Sequence, residues 1–278
     1  MTFDRFPGRF ALSGRLEAVT ALHIGVGGWG PPTGSDLPLI RDALGRPFIP
    51  GSTLKGALRA AVERWVRTVR PSRQRACAIT GGADARCLTP TRLEQLRREA
   101  AGDEARLAQA VVAESCWVCQ VFGAPWLASR VACADLPVIV ETWSGGVMVR
   151  EGVALDRDTE TAGGGVRYDL EVIPAGTAFH CQIEAATDVP WQLGLLALAL
   201  RELEAGRLAL GAGRSRGLGR VLLHVERRTL VRRDADSLLR YLAAPVEGGE
   251  PVDDAQVASW VASALDALRA DALPVEVG

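Results

Sequence analysis

The stretch Pro47-Phe-Ile-Pro-Gly-Ser-Thr-Leu-Lys-Gly-Ala-Leu-Arg59 confines a change of backbone state to a few residues. Pro50 keeps Ile49 out of helical space, so the chain must arrive extended. Immediately afterwards Leu54, Ala57, Leu58, Ala61, Val62, Trp65 and Val66 recur at helical spacing, which gives a helix with one apolar face. Ser52 is placed to serve as its N-cap. Lys55, Arg59, Arg64 and Arg67 populate the other face. A glycine-serine turn feeding a helix presents free N–H groups and the positive end of a dipole, which suits a phosphate. Lys55 adds a full charge there and is the only lysine among 32 basic residues. The same residues also describe an ordinary amphipathic helix with a solvated basic face.

Periodicity on either side extends this into a fold. Arg9 to Val19 alternates, with Phe10, Leu12, Leu16 and Ala18 on one face, as a half-buried strand does. Residues 23–36 hold five glycines and two prolines and must form a loop. Arg130 to Leu136 reads as a strand, and Thr177 to Ala185 alternates with Phe179, Cys181 and Ile183 facing one way. A helix starts at Asp188-Val-Pro-Trp191 and runs to about Glu204; its nearly continuous Leu and Ala content predicts burial. Gly219 to Arg227 is a further strand, and two helices follow in the tail. Strand, helix, strand, strand, helix, strand is the α+β, ferredoxin-like order, here with long insertions. One insertion, residues 147–172, reads as a protruding hairpin with a polar, glycine-rich tip.

Net charge is −1, so any polyanion must be held by a local basic surface rather than by bulk charge. No apolar run reaches transmembrane length, and Met-Thr-Phe-Asp-Arg lacks a signal-peptide core, so a cytoplasmic protein with no membrane partner is expected. In a reducing compartment six cysteines point to metal or core roles. Cys116-Trp-Val-Cys119 has the spacing of a metal knuckle, and Cys77 and Cys87 supply a second pair. Four thiolates make a closed tetrahedral structural zinc site. Such a site would stitch the polar insertion 70–120 to the body; a reduced redox pair or unligated core thiols are the other readings. Cys133 and Cys181 alternate toward the core.

Gly211-Ala-Gly-Arg-Ser-Arg-Gly-Leu-Gly-Arg220 is a second glycine-rich loop. Its glycines allow close backbone approach to a phosphate, and Arg214 and Arg216 supply charge. A strand follows it, so it is not a Walker loop. Asp36, on the first glycine-rich loop, is a lone carboxylate; His23 opens the same loop, either as a base or as a strand-end residue on the core.

In order along the chain, His23-Ile-Gly-Val-Gly, Asp36-Leu-Pro-Leu-Ile-Arg-Asp42, Ile49-Pro-Gly-Ser-Thr-Leu-Lys-Gly56, Val121-Phe-Gly123, Gly152-Val-Ala-Leu-Asp-Arg-Asp-Thr-Glu-Thr-Ala162 and Gly213-Arg-Ser-Arg-Gly-Leu-Gly-Arg220 resemble the RAMP superfamily of CRISPR proteins. The backbone subunits of type III effector complexes, in their zinc-bearing variant, are the nearest likeness. The resemblance implies an RNA-recognition (RRM-like) palm, residues 9–69, 120–146 and 173–232, with a thumb hairpin at 147–172, a zinc insertion at 70–120 and C-terminal helices at 233–278. It implies a ribonucleoprotein of antiviral defence, with CRISPR guide RNA, complementary target RNA, and other effector subunits or copies of itself as partners. Ser52, Thr53, Lys55, Arg59, Arg157, Arg214, Ser215 and Arg216 would hold RNA. Asp36 would cleave the guide-paired target with Mg²⁺ or Mn²⁺. The alternatives are a non-catalytic guide-binding subunit and a metal-free endonuclease that processes CRISPR RNA through a histidine such as His23.

Overall fold

A computed structural model describes residues 5–27, 35–155, 162–245 and 249–273. Its centre is strand β1 (Arg9–Ala18), whose alternation buries Phe10, Leu12, Leu16 and Ala18 on one face. In chain order there follow β2 (Phe48–Ile49), α1 (Gly51–Val69), α2 (Pro90–Ala100), α3 (Glu104–Glu114), α4 (Trp117–Phe122), β3 (Val131–Cys133) and β4 (Leu136–Pro137). Next come β5 (Met148–Leu155), β6 (Ala162–Val172), β7 (Ala178–Ala185), α5 (Pro190–Glu204), β8 (Val221–Val231), α6 (Ala235–Ala243), β9 (Glu250–Pro251) and α7 (Asp254–Ala270).

The main sheet has the order β3-β7-β1-β8-β9, with every pairing antiparallel. Its register is fixed by burial. Phe10 pairs with Ala185 on one side and Leu230 on the other, and Leu16 pairs with Phe179 and Leu223. All six side chains are buried, and a one-residue slip would turn each of them to the opposite face. The protein is thus a mixed α+β structure built on an antiparallel sheet.

Helices cover one face of that sheet. α5 is buried along most of its length, as its continuous Leu and Ala content predicts. α1 packs beside it through Leu54, Leu58, Ala61, Val62 and Val66. α7 lies against α5, and Trp260 meets the Phe10 ring edge-on at 5.5 Å between centroids. The close approach is made at Gly194, where a Cβ would sit 2.1 Å from the Trp260 carbonyl oxygen. β5 and β6 form a separate two-stranded hairpin, and β2 pairs with β4. Among the described residues no helix is long and apolar enough to cross a membrane.

One local expectation is corrected. Helix α1 does not use Ser52 as its cap: it begins at Gly51, with Pro50 in the cap position and no side-chain cap bond. Gly51 presses against the chain leaving β3, where a Cβ would lie 2.1 Å from the Cys133 carbonyl oxygen. That contact brings the Asp135 carboxylate within 2.8 Å of the Gly51 N–H, which it accepts. A remote carboxylate therefore does what a serine hydroxyl would have done, and Ser52 stays exposed.

Two glycines give opposite expectations. Gly194→Ala should lower stability by about 1–3 kcal/mol, because the methyl group meets backbone that cannot yield. Gly56 lies on α1, and a Cβ added there would meet nothing within 4 Å. Gly56→Ala should therefore raise stability by about 0.5–1 kcal/mol. Urea unfolding midpoints of the two variants check both signs.

Candidate metal centre and nucleic-acid interface

The four cysteines singled out by spacing converge. The sulfurs of Cys77, Cys87, Cys116 and Cys119 all lie within 4.8 Å of one another, and Cys77 Sγ is 3.5 Å from Cys119 Sγ. A tetrahedral metal with thiolate bonds of about 2.3 Å would hold its sulfurs about 3.8 Å apart, so the quartet has the right size. Cys116 sits at the cap of α4, where its sulfur accepts the Cys119 N–H at 3.4 Å and the Cys77 N–H at 3.5 Å. These N–H···S contacts orient the knuckle. Hydrogen bonds from Cys116, then Cys119 and Cys87, hold the Cys77 thiol far below its ordinary value, while contact with Cys116, then Cys77 and Cys87, pushes Cys119 up. One cation in place of the disputed protons would satisfy all four sulfurs, and the cluster is fitted to hold a metal ion.

The cluster joins the insertion to the main core. Cys77, Cys116 and Cys119 are buried in the same cluster as Leu58, Val62 and Phe122. Leu88, Leu96, Val111 and Leu127 form only a small core beneath α2 and α3. Arg75 stacks over Trp117 at 4.8 Å and bonds the Asp271 carboxylate at 2.7 Å, tying the insertion to the end of α7.

Arg59 belongs to this seam. Its guanidinium donates to Glu63 at 2.7 Å, to the Gly123 carbonyl at 2.6 Å and to Cys119 Sγ at 3.4 Å. Its five donors are largely committed within the protein, and charge beside a cluster of thiolates is what such a centre requires.

The remaining candidate residues fall into two groups. Thr53 and Lys55 are half-buried near the start of α1, beside exposed Ser52. Burial holds the Lys55 amine below its ordinary value, with Cys133 opposing that shift. Lys55 has no hydrogen-bond or ion-pair partner among the described residues. Burial pushes the Cys133 thiol up to about 12, and Cys181 likewise.

The second group surrounds the base of the β5–β6 hairpin. Residues 35–41 run along β6 as a ribbon. Ser35 Oγ and the Leu37 N–H both donate to the Asp169 carbonyl, at 2.9 and 3.0 Å. The Asp169 N–H in turn donates to Asp36 Oδ2 at 3.0 Å. Glu171 takes the Leu39 N–H at 2.9 Å and the Arg41 guanidinium at 3.0 Å. Next along β6, Tyr168 accepts a hydrogen bond from Arg216, whose guanidinium lies 5.7 Å from the ring centroid. The 211–219 loop is seated on the turn after β1. A Cβ at Gly211 would meet the His23 carbonyl oxygen at 2.0 Å, and the Ala212 N–H donates to that oxygen. Arg214 and Ser215 are exposed, and Arg214 has no partner among the described residues. Arg157 lies outside the described residues.

The two basic segments are therefore seated on different parts of the sheet. The start of α1 abuts β3 and the glycine loop abuts the β1–β8 end. The stretch 36–49 connects them, pairing with Gly25 and Leu170 at one end and with β4 at the other. His23 is 4% exposed and its Nδ1 lies 2.7 Å from the Glu171 carbonyl oxygen. It packs on the core, and its ring has no open route to a substrate. Asp135 and Tyr168 carry no local signal in the sequence, because their partners lie 84 and 48 residues away.

Comparison with known proteins is consistent with these pieces. The model of the RAMP superfamily matches residues 15–222. Over 64 residues, 20% of this chain and 23% of the relative, the sequence is 45% identical to the "CRISPR system Cms endoribonuclease Csm3" of Methanocaldococcus jannaschii. Over 61 residues, 21% of this chain and 25% of the relative, it is 43% identical to the protein of the same name from Methanothermobacter thermautotrophicus. The matched stretch spans about a quarter of the length of these curated relatives.

Arg59→Ala should act on stability. Loss of its three contacts leaves the Gly123 carbonyl and a cysteine sulfur without a donor, which should lower stability by about 2 kcal/mol. A shift of the urea midpoint at unchanged slope checks it.

Proposed function

Because the chain belongs to the RAMP superfamily, we propose that it is a backbone subunit of a type III CRISPR effector complex, binding guide RNA and cleaving the paired target. The observation that carries this reading is the convergence at the hairpin base. Consecutive residues of β6 hold both the candidate cutting carboxylate and the candidate phosphate-binding loop: Asp169 bonds Asp36, and Tyr168 bonds Arg216. Names given to the relatives, which include an endoribonuclease activity, support it further.

In this reading the palm is ferredoxin-like. The chain order β1-α1-β3-β7-α5-β8, with β1 between β7 and β8 and helices on one face, supports that assignment. The palm comprises residues 9–69, 120–146 and 173–232, the insertion 70–120, the thumb 147–172 and the C-terminal helices 233–278. Arg214, Ser215, Thr53 and Lys55 face the guide backbone. The N–H groups at the start of α1 already carry Asp135 on Gly51, so Lys55 supplies most of the attraction there. Partners are guide RNA, target RNA, and other subunits or copies of the chain.

Asp36 has one carboxylate oxygen in the bond to Asp169, leaving Oδ1 for a hard divalent cation; Mg²⁺ sites often use a single carboxylate plus substrate phosphate. Such a cation, when bound, stabilises charge on the scissile phosphate. The chain's own part is to hold the carboxylate at the hairpin base, where a base displaced by the thumb frees its 2′-hydroxyl. The clamp that Asp36 places on β6 also fits a purely structural carboxylate, the reading in which this subunit binds without cutting.

Asp36→Ala separates the two. Target cleavage with Mg²⁺ should fall by about 100-fold or more while guide binding persists. Cleavage at the wild-type rate rejects the catalytic role. We further assign zinc to the four cysteines. Elemental analysis should find one zinc ion per chain, and Cys116→Ala should lose it together with a cooperative thermal transition.

A further inference from the structure

The cysteine cluster has one open corner, and it gives onto a cavity that the function above does not use. Cys77, Cys116 and Cys119 are each no more than 1% exposed. Cys87 is only half-buried, and it lines a cavity of about 720 Å³. That volume is on the scale of a small-ligand site. The loop after α1, the start of α2, the end of α3 and the face of α4 wall it in. A solute in water therefore reaches the cluster through the Cys87 sulfur rather than through the other three.

The wall of this cavity carries positive charge and unused polar groups. Arg73, Arg75, Arg92 and Glu114 line it. Arg92 is neutralised by Glu114 at 2.9 Å, and Arg75 by Asp271 at 2.7 Å. Arg73 is exposed, and its one contact among the described residues is with the neutral Asp84 carbonyl at 2.9 Å, so its charge is uncompensated. Two further wall residues, Trp117 and Gln120, are more than nine-tenths buried. Gln120 gives its Nε2 to the Ser115 carbonyl at 2.9 Å, while its Oε1 has no hydrogen-bond partner among the described residues. The Trp117 ring lies under the Arg75 guanidinium, and its Nε1 has no partner among the described residues either. Buried polar groups are satisfied as a rule. A donor and an acceptor left open on one wall therefore point to a polar occupant, and Arg73 selects an anion.

We propose that Cys87 is a modification site, where anionic low-molecular-weight disulfides react with the cluster and open it. The inference rests on the zinc assignment made above. A carboxylate of the disulfide sits on Arg73, and its other polar groups meet Gln120 and Trp117. The Cys87 thiolate attacks one sulfur of the reagent along the S–S axis, a step that depends on access to the attacking sulfur. The S–S bond breaks, and its electron pair leaves with the second sulfur, which takes a proton from solvent. A mixed disulfide forms between Cys87 and the first sulfur. Cys87 is thereby oxidised from thiolate to disulfide, and the departing half of the reagent is reduced to a thiol. Three thiolates then remain where a closed structural site uses four, and the insertion loses part of its hold on the body. A thiol reductant reverses the step.

The test measures the zinc content of the full chain, then treats it with oxidised glutathione, the anionic probe, or with cystamine, a cationic disulfide. Each rate is divided by the rate with a free cysteine peptide, which removes intrinsic reactivity. Intact mass and peptide mapping should find one glutathione per chain, on Cys87, and a chromogenic chelator should record zinc release in step with it. At low salt the corrected rate with oxidised glutathione should exceed that with cystamine by about 10-fold. Arg73→Ala should remove that preference without moving the thermal midpoint, since Arg73 is exposed. Cys87→Ser should take no adduct. A chain that holds no zinc overturns the metal assignment and this proposal with it. Where zinc is present, no adduct, glutathione mapped to another cysteine, or equal corrected rates for the two disulfides overturns this proposal alone.

Discussion

The structure depends on a seam of four sulfurs and one guanidinium. Helix α1 is where the sheet and the insertion meet: it packs on α5 and on β3, its start abuts the strand edge, and its flank meets α4. Arg59 carries that flank. It joins the middle of α1 to the end of α4 and to the sulfur of Cys119 in one planar, fivefold donor. The insertion itself has only a small patch of apolar contact beneath α2 and α3. Without the cysteine cluster the loop 70–88 and the α4 knuckle would have little to hold them against α1. A ligand set of this kind replaces the core that so polar a segment cannot build.

A second dependency runs through the hairpin base. The ribbon 35–41 does not pack by apolar burial alone; it zips along 169–171 by backbone and carboxylate hydrogen bonds. Leu170 and Val172 then bury beneath it with Ala21 and Leu218. The turn after β1, the glycine loop and the hairpin thus meet at one place, although they lie far apart in the chain. Any motion of the hairpin is coupled to Asp36 and to Arg216 together. That coupling ties the Asp36 carboxylate and the glycine loop to one element of the fold.

Much of this was legible beforehand. Alternation in 9–18 and 178–185, the near-continuous apolar content of 190–204, and the Cys-x-x-Cys knuckle all depend on short-range rules. Neighbours three or four residues apart enforce those rules, so they survive in the sequence. The Ser52 cap failed for an equally definite reason. A serine at that position has the right chemistry, but Gly51 can approach the backbone at Cys133 and so recruits Asp135 from 84 residues away. Arg59 reads as one more basic residue on a helix until α4 folds against it.

The sequence by itself determined which segments are strands and helices, which faces are apolar, and that four thiols would seek one another. Periodicity and ligand chemistry are local properties of side-chain order. Only the tertiary structure decided who meets whom across strands and loops: Asp36 with the backbone of β6, and Arg216 with Tyr168. Each of those meetings depends on sheet order and register. These are set by the sum of many buried pairs, such as Phe10 with Leu230 and Leu16 with Phe179, and no single stretch of the chain contains that sum.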